Sequence, residues 1–128
     1  MPQLIFVGSV FSGEGKGKKF VALPWFKQQV EQTLGFSPYL GTLNLRLLGE
    51  EVAKRRLLET TGSLAVKPQA CYYSGLLFKS KLKGEECAVV IPIMPNYPND
   101  VLEVIAPVYL RERLKLVDGC VVSVSVSV

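Results

Sequence analysis

Residues 121–128 read VVSVSVSV, and from Val122 onward valine and serine alternate strictly at period two. That alternation puts one side-chain type on each face of a strand, so the segment predicts a strand with a buried valine face and an open serine face. The same pattern fills the second half of the chain. ACYYSGLLF, CAVVIPI and VLEVIAP read as strands, separated by a Lys83-Gly84 turn, a loop rich in proline and asparagine, and an Asp118-Gly119 turn.

The first half adds strands and two short helices. Gln3 to Phe11 (QLIFVGSVF) is a strand that runs into SGEGKGKK, where Gly13, Gly15 and Gly17 permit no regular element. Residues 20–23 resume as a strand. Pro24 then opens a helix whose apolar Phe26, Val30 and Leu34 recur at helical spacing before Gly35. In TLNLRLL, Leu43, Leu45 and Leu47 face one side and Thr42, Asn44 and Arg46 the other. Residues 50–59 (EEVAKRRLLE) predict a second helix, with acids early and bases later as the helix dipole favours. So many short strands leave unpaired edges unless the sheet closes. The expected fold is therefore mainly β: about six to eight strands and two short helices in a closed or nearly closed barrel, one domain over residues 1–128.

Composition narrows the function. With 48% hydrophobic and 20% charged residues in 128, the chain can enclose one core and is not disordered. No apolar run approaches the roughly 20 residues that span a bilayer, and residues 1–10 lack a signal pattern, so a soluble cytoplasmic protein without a membrane partner is expected. Cys71, Cys87 and Cys120 form no CxxC pair and the chain has no histidine, which argues against a zinc site. The missing imidazole also removes Ser-His-Asp and Cys-His catalysis. A net charge of +4 suits an anionic partner such as a nucleotide or a nucleic acid. No helix-turn-helix pattern is present, so nucleic acid is not expected.

Three clusters carry candidate chemistry. In the glycine loop, exposed backbone N–H groups with Lys16, Lys18 and Lys19 suit phosphate oxygens, although neither the GxxxxGK[ST] nor the GxGxxG pattern is matched; the alternative is a flexible basic hairpin. In G-T-L-N at 41–44, the Thr42 hydroxyl and the Asn44 amide oxygen are neutral ligands suited to Mg²⁺ when phosphates complete the shell; the alternative is a turn with Asn44 bonded to local backbone. Glu103 interrupts an apolar strand. It either meets a substrate hydroxyl, as hydrogen-bond acceptor or general base, or lies on the solvent face. Arg111 and Arg113 offer contacts to phosphate or base edges, or a solvated face. Trp25, Tyr39, Tyr72, Tyr73 and Tyr97 are either stacking surfaces or core and rim residues.

Taken in order, GSVFSGEGKGKKF, FSPYLGTLNL, YPNDVLEVIAP and LRERLKLVDG resemble the archaeal CTP-dependent riboflavin kinases over nearly the whole chain. The resemblance implies a small closed six-stranded, riboflavin-kinase-like cradle-loop barrel that phosphorylates riboflavin to FMN and releases CDP. It further implies that Gly13, Glu14, Gly15, Lys16, Gly17 and Lys18 contact the nucleotide phosphates and that Thr42 and Asn44 hold Mg²⁺. Val108, Tyr109, Leu110 and Arg111 would line the cytidine site, and Glu103 would orient the ribityl 5′-hydroxyl. Two positions depart from the pattern: Leu40 stands where proline precedes GTLN, and Pro95 stands at a flavin contact where threonine is expected. A non-catalytic nucleotide- or flavin-binding sensor module is the competing function. A monomer or weak dimer is expected, the latter by edge pairing of the serine-valine strand if it lies at an edge.

Overall fold

A computed structural model describes residues 3–13, 21–61, 64–68 and 74–128. Among the described residues the chain runs β1 (Gln3–Phe11), α1 (Pro24–Leu34), β2 (Leu43–Leu47), α2 (Gly49–Thr61) and β3 (Leu64–Val66). It continues through β4 (Gly75–Leu82), β5 (Glu85–Pro92), β6 (Val101–Ile105), α3 (Leu110–Arg113) and β7 (Val121–Ser127).

Six strands close into an antiparallel barrel in the order β4-β5-β6-β2-β1-β7, with β7 returning to β4 through Ser80↔Val126, Lys81↔Ser125 and Leu82↔Val124. The expected barrel is thus borne out. The short β3 shares the same edge of β4, pairing Leu64↔Leu77 to Val66↔Gly75. The first and last strands pair along their length, from Gln3↔Ser127 to Ser9↔Val121. The serine-valine strand therefore has partners on both sides and is not an open edge.

The period-two patterns sort onto the two faces as the residues dictate. Val122, Val124 and Val126 of β7 point inward with Phe6, Val10, Leu45, Phe78, Val89, Leu102 and Val104, filling the barrel. Burial of each such side chain contributes roughly 1.5–3 kcal/mol. On the outer face, α1 lays Phe26, Val30 and Leu34 over Leu77, Ala88, Val90 and Ile105. CAVVI in β5 reads as an unbroken apolar run because one of its faces lines the barrel and the other lies under α1.

Two expectations need correction. There are three helices rather than two among the described residues; α3 is a single turn of four residues, too short to display a helical period. Residues 21–23 carry no strand, because Val21 turns inward to join the cluster beneath α1 just before Pro24 starts the helix. No helix among the described residues is long and apolar enough to cross a membrane.

Candidate functional site

After α1 the chain returns to the barrel through residues 36–42. The Tyr39 N–H donates to the Ala106 carbonyl at 2.7 Å, tying this loop to the end of β6. Gly41 then turns with φ near +142°, a conformation side chains disfavour, and delivers Thr42 to the start of β2. Leu40, exposed on this loop, takes the place of the expected proline without displacing Thr42 from Glu103.

Strand register assembles the rest. Asn44 lies opposite Phe11 of β1 and opposite Glu103 of β6, so the three form one row across the outer face of the barrel. The Thr42 hydroxyl donates to Glu103 Oε1 at 3.3 Å, and the Tyr97 hydroxyl donates to Glu103 Oε2. Two hydroxyl donors offset the cost of placing a half-buried carboxylate in an apolar strand. Burial raises the Tyr97 hydroxyl far above its ordinary range; the Glu103 charge and hydrogen bond add to this, and Arg55 opposes it. Tyr97 therefore stays a donor.

The foot of the glycine loop presses on this row. A Cβ at Gly13 would lie 2.6 Å from Asn44 Nδ2 and 3.3 Å from its Cγ, so any larger residue would push the asparagine amide or the loop foot aside. Arg111 fixes the same foot from the other side. Its Nη2 donates to the Phe11 carbonyl at 3.2 Å, to Ser12 Oγ at 3.3 Å and to Asp118 Oδ1 at 2.7 Å. The hydrogen bond from Arg111, followed by that from Ser12, holds the Asp118 carboxyl below its usual range.

Beside Thr42 opens a cavity of about 230 Å³, lined by residues 39–43 on one side and Val104, Ala106 and residues 108–111 on the other. Tyr39 and Tyr109 stack at its rim, with centroids 4.9 Å apart and planes at 12°. The tertiary structure thus brings Thr42, Val108, Tyr109, Leu110 and Arg111 to one cavity, and Gly13, Asn44 and Glu103 to its flank. Pro95 is exposed in the turn that the Tyr97 N–H closes on the Met94 carbonyl. Glu14, Gly15, Lys16, Gly17 and Lys18 lie outside the described residues, as do Tyr72 and Tyr73. The sequence singles out Tyr97 only as one of several aromatics; its pairing with Glu103 depends on how the β5–β6 loop folds back. Cys87 is packed inside the barrel, where burial and the neighbouring Glu86 and Glu85 push its thiol up to about 12, so it acts as a hydrophobe and not as a nucleophile.

The donor set also bears on metal binding. Thr42 and Asn44 offer hard neutral oxygens next to a carboxylate, which suits Mg²⁺ in partnership with phosphate. No group of three or more His, Cys, Asp or Glu side chains able to hold a metal ion occurs among the described residues. A cation here would rely on oxygens of a bound nucleotide.

Residues 10–126 match the profile of the CTP-dependent riboflavin kinases, which carries the description domain of unknown function DUF120. The chain belongs to this family. It is 42% identical over 123 residues to the riboflavin kinase of Archaeoglobus fulgidus, covering 93% of this chain and 53% of that protein. It is 37% identical over 124 residues to the riboflavin kinase of Pyrobaculum aerophilum, covering 94% of this chain and 59% of that one. The riboflavin kinase of Ignicoccus hospitalis is 37% identical over 123 residues, with 69% of its length covered. The chain thus spans little more than half the length of the first two of these relatives.

Proposed function

We propose that this chain, as a single barrel domain over residues 1–128, transfers the γ-phosphoryl group of CTP to the 5′-hydroxyl of riboflavin, giving FMN and CDP. The observation that carries this reading is the meeting of Thr42, Asn44 and Glu103 beneath Gly13, beside a cavity lined by residues 108–111. The relatives named riboflavin kinase support it.

Phosphoryl transfer depends on positioning and charge neutralisation more than on a strong nucleophile, so a site without histidine is adequate. Mg²⁺ held by Thr42 and Asn44 together with phosphate oxygens would neutralise charge on the transferring group. Glu103 accepts a hydrogen bond from the riboflavin 5′-hydroxyl and aims its oxygen at the γ-phosphorus. As that O–P bond forms, the bond from the γ-phosphorus to the β–γ bridging oxygen breaks and CDP leaves, while the hydroxyl proton passes to Glu103 and from it to water. The loop residues Glu14, Gly15, Lys16, Gly17 and Lys18, seated by Gly13, surround the phosphates; Val108, Tyr109, Leu110 and Arg111 hold the cytidine. A cytoplasmic setting without nucleic-acid or membrane partner completes the reading, and with β7 paired on both sides the chain acts as a monomer.

The test is a dark assay of the purified protein with riboflavin, Mg²⁺ and CTP, ATP, GTP or UTP in turn, with FMN separated by chromatography. FMN formed preferentially from CTP is expected; none from any nucleotide would overturn the reading. Pro95, which offers a flavin neither hydroxyl nor N–H, favours one second reading. CTP bound without FMN formation would identify a non-catalytic nucleotide- or flavin-binding module.

A further inference from the structure

A glutamate side chain has three rotatable bonds, and on an outer barrel face it samples several rotamers unless something holds it. Glu103 is held at both oxygens. The Thr42 hydroxyl donates to Oε1 at 3.3 Å, and the Tyr97 hydroxyl, from the β5–β6 loop, donates to Oε2. Each carboxylate oxygen has two lone-pair sites, so Glu103 can still accept from a substrate hydroxyl.

Tyr97 is itself braced from behind. The Arg55 guanidinium lies 5.7 Å from its ring centroid, within the range of a cation–π contact. Arg55 is only 3% exposed, and its own position is set by the Val101 carbonyl at 2.9 Å and Glu59 Oε1 at 3.1 Å. The loop is anchored at its far end too, where the Leu47 N–H donates to the Asp100 carbonyl at 2.6 Å. A continuous set of contacts therefore runs from α2 through Arg55 and Tyr97 to the carboxylate.

We infer that Tyr97 is a positioning residue for the phosphoryl transfer: its hydroxyl, backed by Arg55, fixes Glu103 in the orientation that receives the riboflavin 5′-hydroxyl. The inference rests on the riboflavin kinase reading and assigns to the β5–β6 loop a part in catalysis separate from nucleotide binding. Y97F is the informative variant because it keeps the ring over Arg55 and removes only the hydroxyl.

The experiment measures wild type, Y97F and Y97L by FMN formation, with KM for CTP and for riboflavin and a thermal midpoint for each protein. In Y97F, kcat should fall about 10- to 100-fold, as a carboxylate displaced by about 1 Å would cause. Its KM for CTP should stay within about twofold and its thermal midpoint within about 3 °C. Y97L should lose a similar factor in kcat and stability besides. A Y97F enzyme with wild-type kcat would overturn the inference, as would one whose kcat and thermal midpoint fall together while its KM for CTP rises, since that pattern denotes a structural role. Absence of FMN from wild type would instead remove the kinase reading itself, and the inference with it.

Discussion

Replacing Gly13 by alanine separates the geometry of the loop foot from its flexibility. The φ of Gly13 lies outside the left-handed region, so alanine can adopt the native backbone there without strain. What alanine cannot do is fit. Its Cβ would lie 2.6 Å from Asn44 Nδ2, where an unstrained contact needs about 3.5 Å, so the amide or the loop foot must shift by about 1 Å. Gly13 is exposed, and the stiffer unfolded chain of the variant contributes about 0.4–1 kcal/mol toward stability, offsetting part of the clash. The thermal midpoint should therefore move by no more than about 3 °C, less than 1 kcal/mol in a domain of this size. Activity should respond far more. A 1 Å displacement of a substrate-positioning group costs up to about 10²-fold in rate, and here it strikes both the proposed phosphate loop and a proposed Mg²⁺ ligand. Steady-state FMN formation at several Mg²⁺ concentrations should show kcat down by at least tenfold and the half-saturating Mg²⁺ concentration raised. A G13A enzyme with kcat and Mg²⁺ dependence within twofold of wild type would refute the idea that the loop works by seating against Asn44.

Tyr109→Ala removes one ring of the stacked pair at the cavity rim, and KM for CTP should rise by about tenfold with KM for riboflavin unchanged, since an aromatic contact is worth about 0.5–1.5 kcal/mol beyond its buried area. Leu102→Ala empties space at the centre of the barrel and should destabilise by about 2–5 kcal/mol in urea unfolding, with the urea dependence of the unfolding free energy unchanged. Asp118, with its carboxyl held below the usual range by Arg111, gives stability that is fully present above the unfolded value of about 3.9 and is lost as pH falls through the depressed one. Asp118→Asn should accordingly lower the thermal midpoint at pH 7 and converge on wild type as the pH falls through the depressed value and the carboxyl takes up its proton; a gap that stays constant as the pH is lowered would contradict the ion pair.

The sequence by itself determined the barrel. Alternation in β7 and in residues 42–47, glycine and proline punctuation, and the unbroken apolar run in β5 each specify which side chains must leave water, and local periodicity is enough to read them. Thr42 and Asn44, by their two-residue spacing, and Glu103, by its cost in an apolar strand, were legible as candidates, each with a structural alternative beside it; their roles came only with the family resemblance. α3 was not, because one helical turn shows no period. Only the tertiary structure decided what these residues do for one another. Register across β1, β2 and β6 placed Phe11, Asn44 and Glu103 in one row, although 33 and 59 residues separate the successive members. Loop folding brought Tyr97 to Glu103, the foot of the glycine loop to Asn44, and Arg111 to Ser12 and Asp118. Composition and spacing encode what each strand buries, but contacts between distant segments follow from strand register and from how the loops fold back, which no local pattern records.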